Sequence, residues 1–102
     1  MRRVIRQGDV ILRELEEEGG SRTGFHEADR IEIGGETGNT HVIRPISGKV
    51  LFNDETGVVV VTEKAEIVHP EHRRIVIPRG RWLLTRVRQW TGARGSRSYA
   101  AD

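Results

Sequence analysis

Glycine-rich turns divide this sequence into short apolar segments, and none of them has the length or the periodicity of an amphipathic helix. Apolar and polar residues alternate over residues 30–33, whereas residues 58–61 are an unbroken run of valine. Alternation places successive side chains on opposite faces of a strand, and an unbroken β-branched run is typical of a strand covered on both faces. The pattern predicts an all-β protein.

Turn signals separate the predicted strands. Ser47-Gly48 is a two-residue hairpin signal, and residues 53–57 end in a glycine where a bulged hairpin needs a left-handed residue. Pro78-Arg79-Gly80 has proline and glycine at the positions that a β-turn favours. Residues 19–27 are predicted to form a loop and residues 34–38 a turn. The predicted strands cover residues 4–15 with a break near Gly8-Asp9, 30–33, 40–46, 49–52, 58–62, 65–69, 73–77 and 81–90.

This spacing narrows the fold to two architectures. Seven or eight short antiparallel strands within about 90 residues bury one face either in a small barrel or in a two-sheet sandwich. A chain of 102 residues has room for one core. We therefore predict a single β domain over residues 1–92, followed by a flexible basic tail over residues 93–102.

Composition excludes several classes of site. The chain has no cysteine, so a disulfide framework, a cysteine-ligated zinc site and a thiol nucleophile are ruled out. No apolar run approaches the length of a membrane span, and the opening Met-Arg-Arg lacks the apolar segment of a signal peptide. These features favour a cytoplasmic protein without a membrane partner, or a virion protein if a phage encodes it.

The charges are unevenly distributed along the chain. Residues 73–102 hold eight arginines and one acid, a net charge of +7, whereas residues 1–72 hold nine bases and fourteen acids, a net charge of −5. A basic segment of this kind is typical of a protein that binds a polyanion such as nucleic acid. The alternative is that neighbouring strands neutralise each other inside a small β domain.

Three histidines are candidate metal ligands. His69 and His72 flank a predicted corner between two strands, and His41 opens the strand after a glycine-rich turn. Three imidazoles, or two of them with a carboxylate from Glu36 or Glu71, suit zinc or another borderline divalent metal and leave one coordination position open. The alternative is that these histidines are simply solvated at a surface corner.

Several short motifs occur in a fixed order along the chain. They are QGDVIL at residues 7–12, GETGNTH at 35–41, PEH at 70–72, IPRG at 77–80 and VRQ at 87–89, with a closing Ala-Asp. In this order they resemble a family of small, uncharacterised bacterial proteins. That family has, in outline, a QGDV strand, a GE-x-TGH-x-H turn, an H-E-E-H corner, an LP-x-G turn, a Q-R-E-Y strand and an Ala-Asp terminus.

The resemblance implies a grouping of residues. His41 matches the second histidine of the family's turn, and His69 and His72 match the two histidines of its corner. Asn39 stands in place of the first turn histidine, and Pro70 in place of an acid at the corner. The resemblance therefore implies one site containing the three histidines and a shared fold, and it implies no particular reaction.

The last predicted strand carries a second constellation. A period of two residues places Arg86 and Arg88 on the same face as the two tryptophans, and such a strand can neutralise phosphates while stacking bases, as single-strand-binding barrels do. The alternative places Trp82 and Leu84 in the core and leaves the arginines as edge-strand charges. The predicted nucleic-acid-binding residues are Arg81, Arg86, Arg88 and Trp90.

Three functions fit these features. The first is a small β binding module that holds a divalent metal or a small ligand at His41, His69 and His72. Its enzymatic form would be a metal-dependent hydrolase, although no residue stands out as a nucleophile. The second is a nucleic-acid-binding small β-barrel that uses the last strand. The third is a structural subunit of a homo-oligomer or of a larger assembly, such as a virion, whose edge strands and tail contact neighbours.

Overall fold

A computed structural model describes residues 2–16, 23–34 and 39–86 of the chain. Within these ranges the regular elements are all strands, as the sequence predicts. The eight strands are β1 (Val4–Gln7), β2 (Val10–Leu15), β3 (His26–Glu27), β4 (Ile31–Gly34), β5 (Thr40–Ser47), β6 (Val50–Asn53), β7 (Val58–His69) and β8 (His72–Arg86). No helix in these ranges has the length and apolarity that crossing a membrane would require.

The strands form one antiparallel sheet that curls into a half-barrel. The order across the sheet is β1-β2-β8-β7-β5-β4, and β6 pairs with β7 and carries β3 on its other side. Strands β7 and β8 are the longest and lie at the centre, where they form a hairpin. A curled sheet buries its concave face without a second sheet. Of the two predicted architectures, the structure therefore resembles the barrel and not the two-sheet sandwich.

The core lies on the concave face of the sheet. Cross-strand partners share a face, so the pairing of Leu12 with Leu84 places both there. In β7, Val58 and Val60 lie on the face opposite to Val59 and Val61, and all four valines are buried. This confirms the prediction of a strand covered on both faces. The largest fully buried side chains are Trp82, Leu12, Ile43, Ile67, Ile77, Val10, Val50, Val59 and Val61.

Two predicted turns have the expected chemistry. Gly57 adopts a φ of 81°, and its N–H donates to the Asn53 carbonyl oxygen at 2.8 Å. The Asn53 side-chain oxygen accepts from the backbone N–H groups of Glu55 and Thr56, which closes an Asx turn. Gly48 has a φ of 74° in the hairpin between β5 and β6. These left-handed positions explain why glycine stands at both.

The predicted turn at residues 78–80 is wrong, because β8 runs straight through it. Pro78 pairs with Lys64 and Gly80 pairs with Val61, and the register between β7 and β8 shifts between those two pairs. A bulge at this point lets the ladder tolerate a proline that has no N–H to donate. The same bulge keeps β7 continuous, so residues 58–62 and 65–69, predicted as two strands, belong to one.

The remaining differences concern loops. Residues 26–27, at the end of the predicted loop over residues 19–27, form a strand instead, because His26 and Glu27 pair with Phe52 and Leu51 of β6. Residues 19–22 of that loop lie outside the described ranges. Residues 35–38 of the predicted glycine turn lie outside the described ranges. The predicted basic tail over residues 93–102 also lies outside them.

Candidate functional site

Three histidines from three different strands meet beside the turn between β1 and β2. The ring centroids of His41 and His69 are 4.3 Å apart, and those of His69 and His72 are 4.5 Å apart. His41 and His72 are stacked at 5.9 Å with an interplanar angle of 9°. We call His41, His69 and His72 the imidazole cluster. Their side chains come from β5, the end of β7 and the start of β8.

Strand register explains why the three rings meet. His69 and His72 are paired directly across the hairpin between β7 and β8. On the other side of β7, Val42 pairs with Val68, and the same antiparallel register places His41, the preceding residue of β5, opposite His69. The corner at residues 70–71 is held by a hydrogen bond in which the Glu71 backbone N–H donates to His69 Nδ1 at 3.0 Å.

The two ends of β8 both return to the turn between β1 and β2. His72 is the first residue of β8, and its Nε2 lies against Gly8. Arg86 is the last residue of β8, and its Nη2 donates to Asp9 Oδ2 at 3.1 Å. The curl of the half-barrel therefore adds Arg86 and Asp9 to a site that contains the imidazole cluster.

Gln7 determines the protonation pattern of His41. Its side-chain amide donates to the carbonyl oxygens of Ile67 and Arg73, at 3.1 and 2.8 Å, so its oxygen must face the other way. That oxygen lies 2.9 Å from His41 Nδ1, which therefore carries a proton and donates. In neutral His41 the lone pair is consequently on Nε2.

This Nε2 faces a carboxylate. It lies 3.4 Å from Asp9 Oδ1, and the other carboxylate oxygen of Asp9 accepts from Arg86. A chain of polar contacts thus runs from Gln7 through His41 and Asp9 to Arg86. The His41 residue is only 4% exposed, whereas the Asp9 side chain is 41% exposed, so these contacts begin in the core and reach solvent at Asp9.

The surroundings of His41 favour its neutral form. Burial lowers its pKa below the ordinary value, and the charges of His69, His72 and Arg86 lower the pKa further. The Asp9 carboxylate acts in the opposite direction. In the neutral form a nitrogen lone pair and a carboxylate oxygen face each other, an arrangement that is repulsive unless a cation lies between them.

The three predicted ligands do not already form a metal centre. Within the described ranges no group of three or more His, Asp or Glu side chains is arranged to hold a metal ion. His69 is the reason on the imidazole side, because its Nδ1 accepts from the Glu71 backbone and its neutral ring therefore carries the proton on Nε2. Of the two alternative carboxylates, Glu36 lies outside the described residues and Glu71 is exposed.

One pair of atoms nevertheless has the spacing of metal ligands. Nitrogen and oxygen ligands at 2.0–2.2 Å around a tetrahedral zinc ion lie roughly 3.3–3.5 Å from each other. His41 Nε2 and Asp9 Oδ1 are 3.4 Å apart, and the Nε2 lone pair is free. Asp9, together with Gln7 behind His41, is the contribution that the sequence analysis missed. The signal was the polar Gln-Gly-Asp turn between two apolar strand segments.

Gly8 makes room for the cluster. It adopts a φ of 61°, and a Cβ at this position would lie 2.8 Å from His72 Nε2 and 3.2 Å from His41 Cε1. Both the left-handed backbone and the close approach of two imidazoles require glycine here. The QGDV motif thus combines a residue that orients His41, a glycine that admits His72 and a carboxylate that faces His41.

The residues predicted to bind nucleic acid lie in different places. Arg81 lies over the Phe25 ring with its guanidinium carbon 5.8 Å from the centroid. Arg86 points into the site described above, while Arg88 and Trp90 lie outside the described residues. Trp82 is fully buried and its indole N–H donates to the Pro78 carbonyl oxygen at 3.1 Å, so the core alternative is confirmed for this residue.

A separate groove lies beside Arg81. It has a volume of about 380 Å³ and opens to solvent. It is lined by Arg2, Glu14, Leu15, Glu16, Arg79, Gly80 and Arg81. Arg2 is paired with Glu16 at 2.9 Å, whereas Arg79 and Arg81 have no acidic partner within the described part of the chain. The groove therefore presents two uncompensated cations.

Comparison with known proteins places the chain in a family. No curated protein and no solved structure matches it. The model of a family described as a domain of unknown function, DUF8820, matches residues 6–87, a range that contains the imidazole cluster, Gln7, Asp9 and Arg86. The uncharacterised family expected from the motifs is consistent with this match. The chain therefore belongs to the DUF8820 family.

Proposed function

We propose that this protein is a small binding module that holds one divalent transition metal, of the zinc class, through His41, Asp9 and His72, with one coordination position open to a small ligand. The observation that carries the proposal is the 3.4 Å separation between His41 Nε2 and Asp9 Oδ1. Imidazole and carboxylate are ligands that zinc accepts, and three protein ligands with one open position are the usual arrangement of a site that binds a further molecule.

The hydrogen bond from His41 to Gln7 supports this proposal. Metal-ligating histidines almost always donate their other ring N–H to a carbonyl or carboxylate oxygen, which fixes the tautomer and the orientation of the ring. His41 donates from Nδ1 to the side-chain oxygen of Gln7. The nitrogen of the same amide donates to two backbone carbonyl oxygens, which holds the amide in place. The ring is thus oriented before any metal arrives.

His72 is the third ligand of this proposal. Its ring stacks on His41, and its Nε2 has no hydrogen-bond partner within the described residues. The residue is exposed, so a change of rotamer costs little packing. His69 is left out, because ligation through Nε2 would require a proton on Nδ1, where the Glu71 N–H now donates. This choice separates the proposal from the three-imidazole site expected from the sequence.

Metal content and zinc titration test the proposal. The full chain is purified without an affinity tag, and elemental analysis and calorimetry are run on wild type, Asp9→Asn, His41→Ala, His72→Ala and His69→Ala. His26→Ala is the matched control, because His26 is exposed on β3 and faces Asp54 at 3.9 Å, away from the cluster. Thermal unfolding of each metal-free variant shows whether it remains folded.

We expect one zinc ion per chain in wild type, retained in His69→Ala and His26→Ala and lost in Asp9→Asn and His41→Ala. His72→Ala is expected to weaken binding. Absence of stoichiometric metal from every sample would overturn the proposal. Loss of metal in His69→Ala, with retention in Asp9→Asn, would instead support the three-imidazole site.

A second function is supported by the groove beside Arg81. We propose that Arg79 and Arg81, which line this groove, bind the phosphates of single-stranded nucleic acid. Anisotropy of a labelled oligonucleotide at several salt concentrations tests this. Affinity should fall steeply with salt and fall further in Arg79→Gln/Arg81→Gln, whereas Arg30→Gln, which removes a cation paired with Glu32, should match wild type. An affinity that changes neither with salt concentration nor on replacement of the two arginines would exclude this function.

A further inference from the structure

Arg86 has a hydrogen-bond donor that nothing in the described structure satisfies. Its Nε is buried and has no partner, and within the described residues it is the one buried side-chain nitrogen or oxygen in that state. The side chain as a whole is only 15% exposed. A buried donor of a charged group that has no acceptor destabilises the folded protein. Such a donor is rare in native structures, and one explanation for it is an acceptor on a bound ligand.

The unused donor belongs to a guanidinium that contacts the proposed metal site. In a guanidinium, the Nε–H bond and one N–H bond of Nη2 lie on the same edge and point the same way. Nη2 of Arg86 donates to Asp9 Oδ2 at 3.1 Å. Nε therefore shares an edge of the guanidinium with the nitrogen that contacts Asp9, whose other oxygen lies beside His41.

Asp9 does not itself satisfy the second donor. A carboxylate can accept from both N–H groups of this edge when both of its oxygens face the guanidinium. Here only Oδ2 does, because Oδ1 is directed at His41 Nε2. Asp9 is thus shared between Arg86 and His41, and half of the guanidinium fork remains for another acceptor.

We propose that the free edge of Arg86 receives an oxyanion group, a carboxylate or a phosphate, of the ligand that fills the open coordination position. This inference rests on the proposed function, because the metal supplies the second contact. A divalent metal held by one carboxylate and two neutral imidazoles keeps a net positive charge, and Arg86 adds another. The site borders solvent at Asp9, whose side chain is 41% exposed, and at His72, which is exposed, so a ligand reaches the Arg86 Nε from there once the guanidinium shifts toward it.

Anion titration tests the inference. Inorganic phosphate and, separately, acetate are titrated into the full-length protein by calorimetry, first without metal and then with one equivalent of zinc. The variants are Arg86→Lys, which keeps the charge and loses the fork, and Arg86→Gln. Arg30→Gln is the matched control, because it removes an exposed arginine that pairs with Glu32 and does not contact Asp9. Zinc stoichiometry and thermal unfolding of each variant show whether the site remains intact.

We expect zinc-loaded wild type and Arg30→Gln to bind one anion, with affinity reduced about tenfold or more in Arg86→Lys and further in Arg86→Gln. A stronger response to phosphate or to acetate identifies which oxyanion the site prefers. Zinc binding with equal anion affinity in wild type and Arg86→Gln would overturn the inference and leave the metal site standing. If no zinc binds, the proposed function fails, and the metal-free titration then tests the contact between the anion and Arg86 alone. Anion binding that depends on Arg86 supports this contact, and its absence overturns it.

Discussion

The side chain of Gln7 decides which nitrogen of His41 is free. Its oxygen accepts from His41 Nδ1 at 2.9 Å, and its nitrogen donates to two backbone carbonyls on β7 and β8. The residue is 3% exposed, so each of these polar groups depends on the others for a partner. This single amide ties the end of β1 to the hairpin that carries two of the three clustered histidines.

Replacing Gln7 should affect both stability and metal binding. We expect Gln7→Ala to lower the free energy of unfolding by about 1–3 kcal/mol, because buried partners lose their hydrogen bonds. We also expect zinc affinity to fall about 10–100-fold, the usual effect of removing a group that orients a metal-ligating histidine. Urea unfolding and zinc titration measure the two effects. Unchanged zinc affinity in a folded variant would show that His41 does not need this partner.

A methyl group at Gly8 should disturb the imidazole cluster. We expect Gly8→Ala to destabilise the protein by roughly 1–3 kcal/mol, because its φ is 61° and the new Cβ would lie 2.8 Å from His72 Nε2. Displacement of His72 should weaken zinc binding as well. Gly34→Ala is the matched control, since a Cβ there meets nothing within 4 Å. Equal effects of the two substitutions in thermal unfolding and zinc titration would contradict the steric argument.

Truncation of Trp82 should be the most damaging core substitution. The side chain is fully buried on the concave face, and its indole N–H is bonded to the Pro78 carbonyl oxygen. We expect Trp82→Ala to cost about 3–5 kcal/mol in urea unfolding through lost burial and the cavity it leaves. Ile46→Ala, at a site that is 43% exposed, should change stability far less. A mild effect of Trp82→Ala would mean that Trp82 is not in the core.

Glu66 should make the free energy of unfolding depend on pH in the acid range. Hydrogen bonds and charge from Arg74 and Arg44 hold the pKa of this carboxyl below its ordinary value, although partial burial opposes them. The unfolded chain then takes up a proton at a higher pH than the folded one. The stabilisation is present above the ordinary pKa of 4.5 and is lost as the pH falls through the lowered value.

Urea unfolding between about pH 7 and pH 3 measures this dependence. Glu66→Gln should flatten the decline, while Glu32→Gln should follow wild type, because the pair of Glu32 and Arg30 is more than half exposed on both sides. A decline that is as steep in Glu66→Gln as in wild type would assign the acid sensitivity to other groups.

Local pattern predicted much of the fold. The β-branched run at residues 58–61 and the glycine of the turn ending at Gly57 follow from backbone preferences and burial, which act over a few residues. The predicted turn at residues 78–80 failed because proline and glycine signal a turn locally, whereas here a bulge against β7 absorbs both within one strand. Pairing with a distant strand outweighed the local preference.

The sequence by itself determined the all-β character, most of the turns and the candidate histidines, since residue type, alternation and glycine placement are local properties. Only the tertiary structure decided that Asp9 faces His41, that His69 is tied to the corner and that Arg86 turns inward. These contacts join residues separated by 32 to 77 positions in the chain or depend on a hydrogen bond to the backbone. They arise because the sheet curls until both ends of β8 meet the turn after β1, and no local pattern encodes that curvature.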